Sequence, residues 1–216
     1  MVAPALTISL LFSLRGSFRA QVVWLGLLSW VAYNYATYSF GLQYTTLFVV
    51  HVALLSLAVF AIAIVIRRFD LTKVRSAVAA HGAVRYMSLF LFLVAGVFLI
   101  LWLSDLLPAT LTNSIPARLK DLQSTSNPIE VLDLSFVLPL LILAGIRLWQ
   151  RKANGLVLGG SMLAFMAAVM VAISPGSLIF GDGSFDAIYP VIAAISAVLL
   201  AVFVILLGTV KRFKEV

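Results

Sequence analysis

Three ionisable residues stand in or at the edge of long apolar runs: His51, Asp105 and Asp133. A titratable group inside hydrocarbon is costly and marks, by default, a site that handles protons, ions or a polar solute. His51 lies roughly two turns into the run Thr45–Ile66. Imidazole in general titrates near physiological pH, so a histidine beside a carboxylate of similar depth, as His51 is expected to be, would form a proton-coupled pair. Asp133 is the candidate carboxylate. Asn127-Pro128-Ile129-Glu130 reads as a helix start, with Asn127 as N-cap, Pro128 at the first position and Glu130 three after the cap. That pattern accounts for Glu130 locally, whereas Asp133 lies one turn, about 4–5 Å, further along. The helix dipole favours it by about 0.3–1 kcal/mol. The insertion penalty at the bilayer centre is roughly 2.5–3.5 kcal/mol. Asp105 is expected to end a helix just before Pro108, where a carboxylate opposes the dipole.

Two uncharged groups join them. On the first long apolar segment Trp30, Asn34, Thr37 and Tyr38 recur at spacings of three and four and so share a helix face. An amide at the depth of Asn34 must face other helices or water. Asn34, Tyr38, His51, Asp105 and Asp133 are the expected lining of an outward-facing polar pocket for a small solute or ion. Plainer roles compete with each. Asn34 would form an interhelical hydrogen bond, and Tyr33, Tyr35 and Tyr38 an aromatic interface belt. His51 would be a hydrogen-bonded neutral imidazole, Asp133 a hydrated interfacial aspartate, and Asp105 a partner of Arg118 or Lys120.

The missing residue types exclude much other chemistry. There are no cysteines, hence no thiolate metal sites and no iron–sulfur clusters. All five lysines lie in expected loops or at ends, so no buried Schiff base is available. Two separated histidines cannot together ligate one haem, and no phosphate-binding loop or zinc-protease helix motif is present. Asp182 and Asp186 flank a glycine-rich turn but lack the ligand pattern of a calcium loop. No cofactor, metal site or catalytic residue is assigned. An enzyme would have only His51, Asp105 and Asp133 to draw on, with no motif joining them.

The elements that position these groups follow from composition. With 63% hydrophobic and 11% charged residues, the 216-residue chain lacks the polar surface of a soluble domain. Crossing hydrocarbon takes about 20 mostly apolar residues. Six runs qualify: Gln21–Phe40, Thr45–Ile66, Met87–Leu107, Ile129–Trp149, Gly155–Ile173 and Ile188–Val210. Val2–Leu14 is a shorter candidate seventh, about 20 Å long as a helix. The expected fold is one all-α transmembrane bundle over residues 1–216.

Orientation follows from the positive-inside bias. With the start of Gln21–Phe40 in the cytoplasm, Arg118 and Lys120 are the only basic residues left outside, and the C-terminus is cytoplasmic. The net charge of +7 is therefore an orientation signal and not a nucleic-acid footprint. Arg67, Arg68, Lys73, Arg75 and Arg85 are expected at lipid headgroups, each attracted by about 1 kcal/mol. An amphipathic helix over Ile115–Gln123 and an irregular loop over Ser174–Ala187 are expected outside. Pro139 is expected to free a carbonyl and kink its helix below Asp133. Gly155, Gly159, Gly160, Ser161 and Ala164 give the fifth long helix a small face.

Arg15-Gly16-Ser17-Phe18-Arg19-Ala20, Trp24-Leu25-Gly26 and Tyr33-Asn34-Tyr35-Ala36-Thr37-Tyr38-Ser39-Phe40-Gly41 resemble a family of uncharacterised bacterial multi-pass membrane proteins. Val131-Leu132-Asp133-Leu134-Ser135-Phe136-Val137-Leu138-Pro139 is similar to a later helix of that family. The resemblance implies a bacterial inner-membrane location and makes Val2–Leu14 the shortened remnant of a preceding helix. It implies no activity. Two functions are carried forward: solute or ion handling through the polar pocket, and a non-catalytic subunit of a larger membrane complex or homo-oligomer. The second would dock through an apolar flank such as the small face of the fifth helix.

Overall fold

In hydrocarbon every backbone N–H and C=O must bond within its own segment, and the apolar runs fold as helices wherever the structure describes them. The computed structural model describes residues 2–71, 83–116, 119–120 and 126–180. Ile188–Val210, Asp182 and Asp186, the basic residues Lys73, Arg75 and Arg118, and most of Ile115–Gln123 lie outside these. The helices are α1 (Val2–Leu14), α2 (Phe18–Gly41), α3 (Phe48–Arg67), α4 (Ala83–Leu111), α5 (Pro128–Trp149) and α6 (Ala153–Phe180). Phe48–Arg67, Val84–Leu111 and Pro128–Trp149 are each long and apolar enough to cross a bilayer. Ala3–Leu14 and Ala153–Val169 are shorter apolar helices. α2 has the length, at 24 residues, but is not apolar enough for that group. The chain is an all-α helical membrane protein.

Local chemistry sets the helix ends. α1 stops where Gly16 takes φ +82°, and the Ser17 and Gly16 N–H groups bond back to Phe12 and Ser13 carbonyls. Ser17 then caps α2 by accepting from Ala20 N–H. Arg151 at φ 53° and Asn113 at φ 51° end α5 and α4 by the same back-bonding.

Two helices run further than the sequence predicts. α4 continues through Pro108 to Leu111, so Asp105 is not in its last turn. α6 continues through Pro175 and Gly176 to Phe180 where an irregular loop was expected. In both, an apolar tail follows the proline, and a helix satisfies that tail's backbone without water.

α2 packs against α1, α3 and α6, and α5 lies between α4 and α6. The main core, with Leu91, Leu141, Leu148 and Leu163 fully buried, joins α4, α5 and α6. A second cluster of Leu25, Leu28, Val65 and Val157 joins α2, α3 and α6. Phe18 meets Phe69 edge-on, ring centroids 5.8 Å apart, and the Arg85 guanidinium lies 4.7 Å from the Trp149 ring. These contacts and the short connections gather Arg15, Arg19, Arg67, Arg68, Arg85, Arg147, Arg151 and Lys152 at one end of the bundle.

The small face of α6 is consumed inside the molecule. A methyl group at Gly26 would collide with the Ser161 carbonyl oxygen and Ala164 Cβ, and one at Gly159 with the Leu148 side chain. Ser161 Oγ donates to the Val22 carbonyl at 3.2 Å. Close backbone approach through small residues is the usual device where lipid removes the hydrophobic drive between helices. The expected docking role of this face is thereby corrected: α2 and α5 already occupy it. Gly26→Ala is expected to destabilise the bundle by about 1–3 kcal/mol through overpacking. Gly96→Ala, whose new methyl group meets nothing within 4 Å, is expected to leave stability unchanged or slightly raised. Thermal unfolding in detergent compares the two.

Candidate functional site

α5 begins as the sequence predicts, with Asn127 accepting from the Ile129 N–H at 3.1 Å and Pro128 in the first turn. Its second turn departs from the expected form. Asp133–Val137 is a π-helical turn, closed by the Leu138 N–H donating to the Asp133 carbonyl five residues back. Pro139 follows at once. A proline has no N–H to give and its ring clashes with the carbonyl four residues earlier, Ser135, and a widened turn accommodates both. Where a freed carbonyl and a kink are expected from Pro139, the structure shows this extra residue in the turn that precedes it. Single π turns inside α-helices are frequent at functional sites.

That turn aims Asp133 into the bundle, where it is 8% exposed. Tyr33 Oη on α2 donates to Oδ1 at 2.9 Å, and Trp102 Nε1 on α4 donates to Oδ2 at 3.0 Å. Tyr33 is fixed in turn by an edge-on contact with Phe165 of α6, centroids 5.4 Å apart. One carboxylate therefore gathers α2 and α4 onto α5, with α6 behind. Both donors are neutral. No basic side chain pairs with Asp133 among the described residues, and a carboxylate of two oxygens retains further acceptor capacity.

Glu130, one turn earlier on the same inward face, is 6% exposed, and its Oε1 is buried without a hydrogen-bond partner. The expected local account of Glu130 is corrected here: Asn127 caps the helix, but the Glu130 carboxylate does not return a bond to it. The Pro128 ring lies against Gly41 so closely that a methyl group there would collide with it. This contact packs the end of α2 against the start of α5.

Of the five residues expected to line one pocket, Tyr38 and His51 are in contact with each other, and Asp133 is bonded to Tyr33 and Trp102. His51 sits among aromatic rings, 5.8 Å from Tyr35 and 5.5 Å from Tyr38 between centroids. No hydrogen bond or ion pair joins it to Asp133. Asn34 and Asp105 are half-buried, on α2 and α4 respectively. Among the described residues no three histidine, aspartate or glutamate side chains are grouped to hold a metal ion. Sequence reasoning missed Trp102 and placed Tyr33 in the interface belt. The available signal was chemical, since a buried indole N–H or phenol hydroxyl usually finds an acceptor. Of the expected headgroup contacts, Arg67, Arg68 and Arg85 are exposed at the basic end.

No family model, no curated protein and no solved structure matches this chain.

Asp133→Ala would leave the Tyr33 hydroxyl and Trp102 indole without their acceptor, at about 1–3 kcal/mol for each buried donor. Asp133→Asn keeps one acceptor oxygen and is expected to unfold at a midpoint between wild type and Asp133→Ala. Denaturation in mixed micelles, followed by tryptophan fluorescence, gives the order.

Proposed function

We propose that this is a multi-pass protein of the bacterial inner membrane that takes up a small monovalent cation in the outer half of the bundle, at Asp133 and Glu130. The observation that carries the reading is the charge imbalance. Two carboxyl groups lie buried on one face of α5, Asp133 held only by neutral donors and Glu130 Oε1 by none, with no basic partner among the described residues. Buried charge without compensation is strongly destabilising, so the compensating cation must come from outside the described protein groups. Among the described residues no third acidic or histidine ligand joins the two carboxyl groups, which favours a proton or alkali ion over a divalent metal. Asn34 and Asp105, half-buried on α2 and α4, are the polar groups we assign to a path from the outer surface. The Tyr35–Tyr38–His51 cluster belongs to the α2–α3 side of that approach. The resemblance of the Arg-Gly-Ser turn and the Tyr-Asn-Tyr helix supports the bacterial location, and the gathered arginines support a cytoplasmic basic end.

The test uses the purified full chain in proteoliposomes carrying an internal pH dye, with radioactive sodium outside. Wild type is expected to move protons or sodium well above protein-free vesicles, and Glu130→Gln and Asp133→Asn to fall to that background. Flux of both ions at background in wild type, or unchanged flux in both variants, would reject the reading.

A further inference from the structure

At the basic end, α4 and α5 approach closely enough for Ser88 Oγ to donate to the Gly145 carbonyl at 2.6 Å. Gly145 has no side chain, and the Phe92 ring lies where one would project. The ring makes the floor of a groove of about 270 Å³ lined by Leu89, Phe92, Ile146, Trp149 and Gln150. Apart from Gln150 this lining is apolar. Leu89, Ile146 and Trp149 are 51%, 40% and 46% exposed, so the groove opens sideways, toward lipid in a membrane-spanning bundle. Its rim is cationic: Arg85 is exposed and lies 4.7 Å from the Trp149 ring. The same helix end carries Arg147, Arg151 and Lys152.

We propose that this groove is a binding site for an anionic diacyl phospholipid of the phosphatidylglycerol class. One acyl chain lies along Leu89, Phe92 and Ile146, and the phosphate is held by Arg85. The two halves of the site match the two halves of such a lipid. An apolar slot alone would accept any acyl chain, but a guanidinium at its mouth discriminates by charge and offers forked donors to phosphate oxygens. Trp149 fits the boundary between them, where an indole is stable at headgroup level and its face supports the cation. Basic pockets between helices at the cytoplasmic side recognise lipid headgroups in this way. The site is distinct from the Asp133 cluster, and its occupancy does not depend on cation binding there.

Native mass spectrometry of the delipidated full chain, titrated separately with phosphatidylglycerol and phosphatidylcholine, tests this. Wild type is expected to bind its first phosphatidylglycerol about fivefold more tightly than its first phosphatidylcholine, the equivalent of about 1 kcal/mol for one basic contact. Arg85→Gln is expected to abolish the preference and Arg85→Lys to keep most of it. Leu89→Trp, which fills the slot at an exposed position, is expected to weaken binding of both lipids. Equal binding of the two lipids by wild type would overturn the proposal. So would a preference that survives Arg85→Gln, or Leu89→Trp binding both lipids as wild type does.

Discussion

A carboxylate cannot be left alone in hydrocarbon, and much of this bundle is arranged around that constraint at Asp133. The residue is buried, and its two oxygens are taken up by groups from two other helices, a phenol from α2 and an indole from α4. Neither donor has a comparable partner available in lipid, so separating the helices would orphan three polar groups at once. The π turn is part of the same arrangement. It sets Asp133 and Pro139 on a widened stretch of α5 and turns the carboxylate inward rather than toward lipid. A regular helix through these residues would present the side chain at another angle.

Around this polar tie the packing depends on closeness. The hydrophobic effect does little to bring helices together in a solvent as apolar as they are. The available forces are contact at short range and hydrogen bonds, and both require small residues at the crossings. Gly26 against Ser161 and Ala164, Gly145 against Phe92, and Gly159 against Leu148 supply them. Ser88 and Ser161 use the short distance to donate to carbonyls on the neighbouring helix. α3 stands apart. Only Ala58 and Val65 are buried along it, and its broad exposed face of Val, Leu, Ile and Phe suits lipid contact.

The sequence declared its helices through run length and its basic end through arginine placement, because both are one-dimensional properties. Helix α1 was legible as a 13-residue apolar segment, whereas the positive φ of Gly16 at its corner is seen only in the structure. Asp133 was legible as an anomaly. What held it was not, because Tyr33 and Trp102 are respectively 100 and 31 residues away along the chain. No periodicity within one helix reports a partner on another. Proline misled twice: Pro108 and Pro175 read as stops by the rules of helices in water, but lipid leaves the chain no better place for its backbone groups. Glu130 misled in the opposite sense, because a capping-box pattern explained it so economically that its burial went unforeseen.

Tyr33 and Trp102 tie the bundle together through Asp133, beyond what their own packing contributes. A double-mutant cycle measures this directly, with Tyr33→Phe and Trp102→Phe each made in wild type and in Asp133→Leu and stability read by denaturation in micelles. Each donor substitution is expected to cost about 1.5–3 kcal/mol more in wild type than in the Asp133→Leu background, as for hydrogen bonds to a charged group, any cavity cost being common to both. Equal costs in the two backgrounds would contradict it.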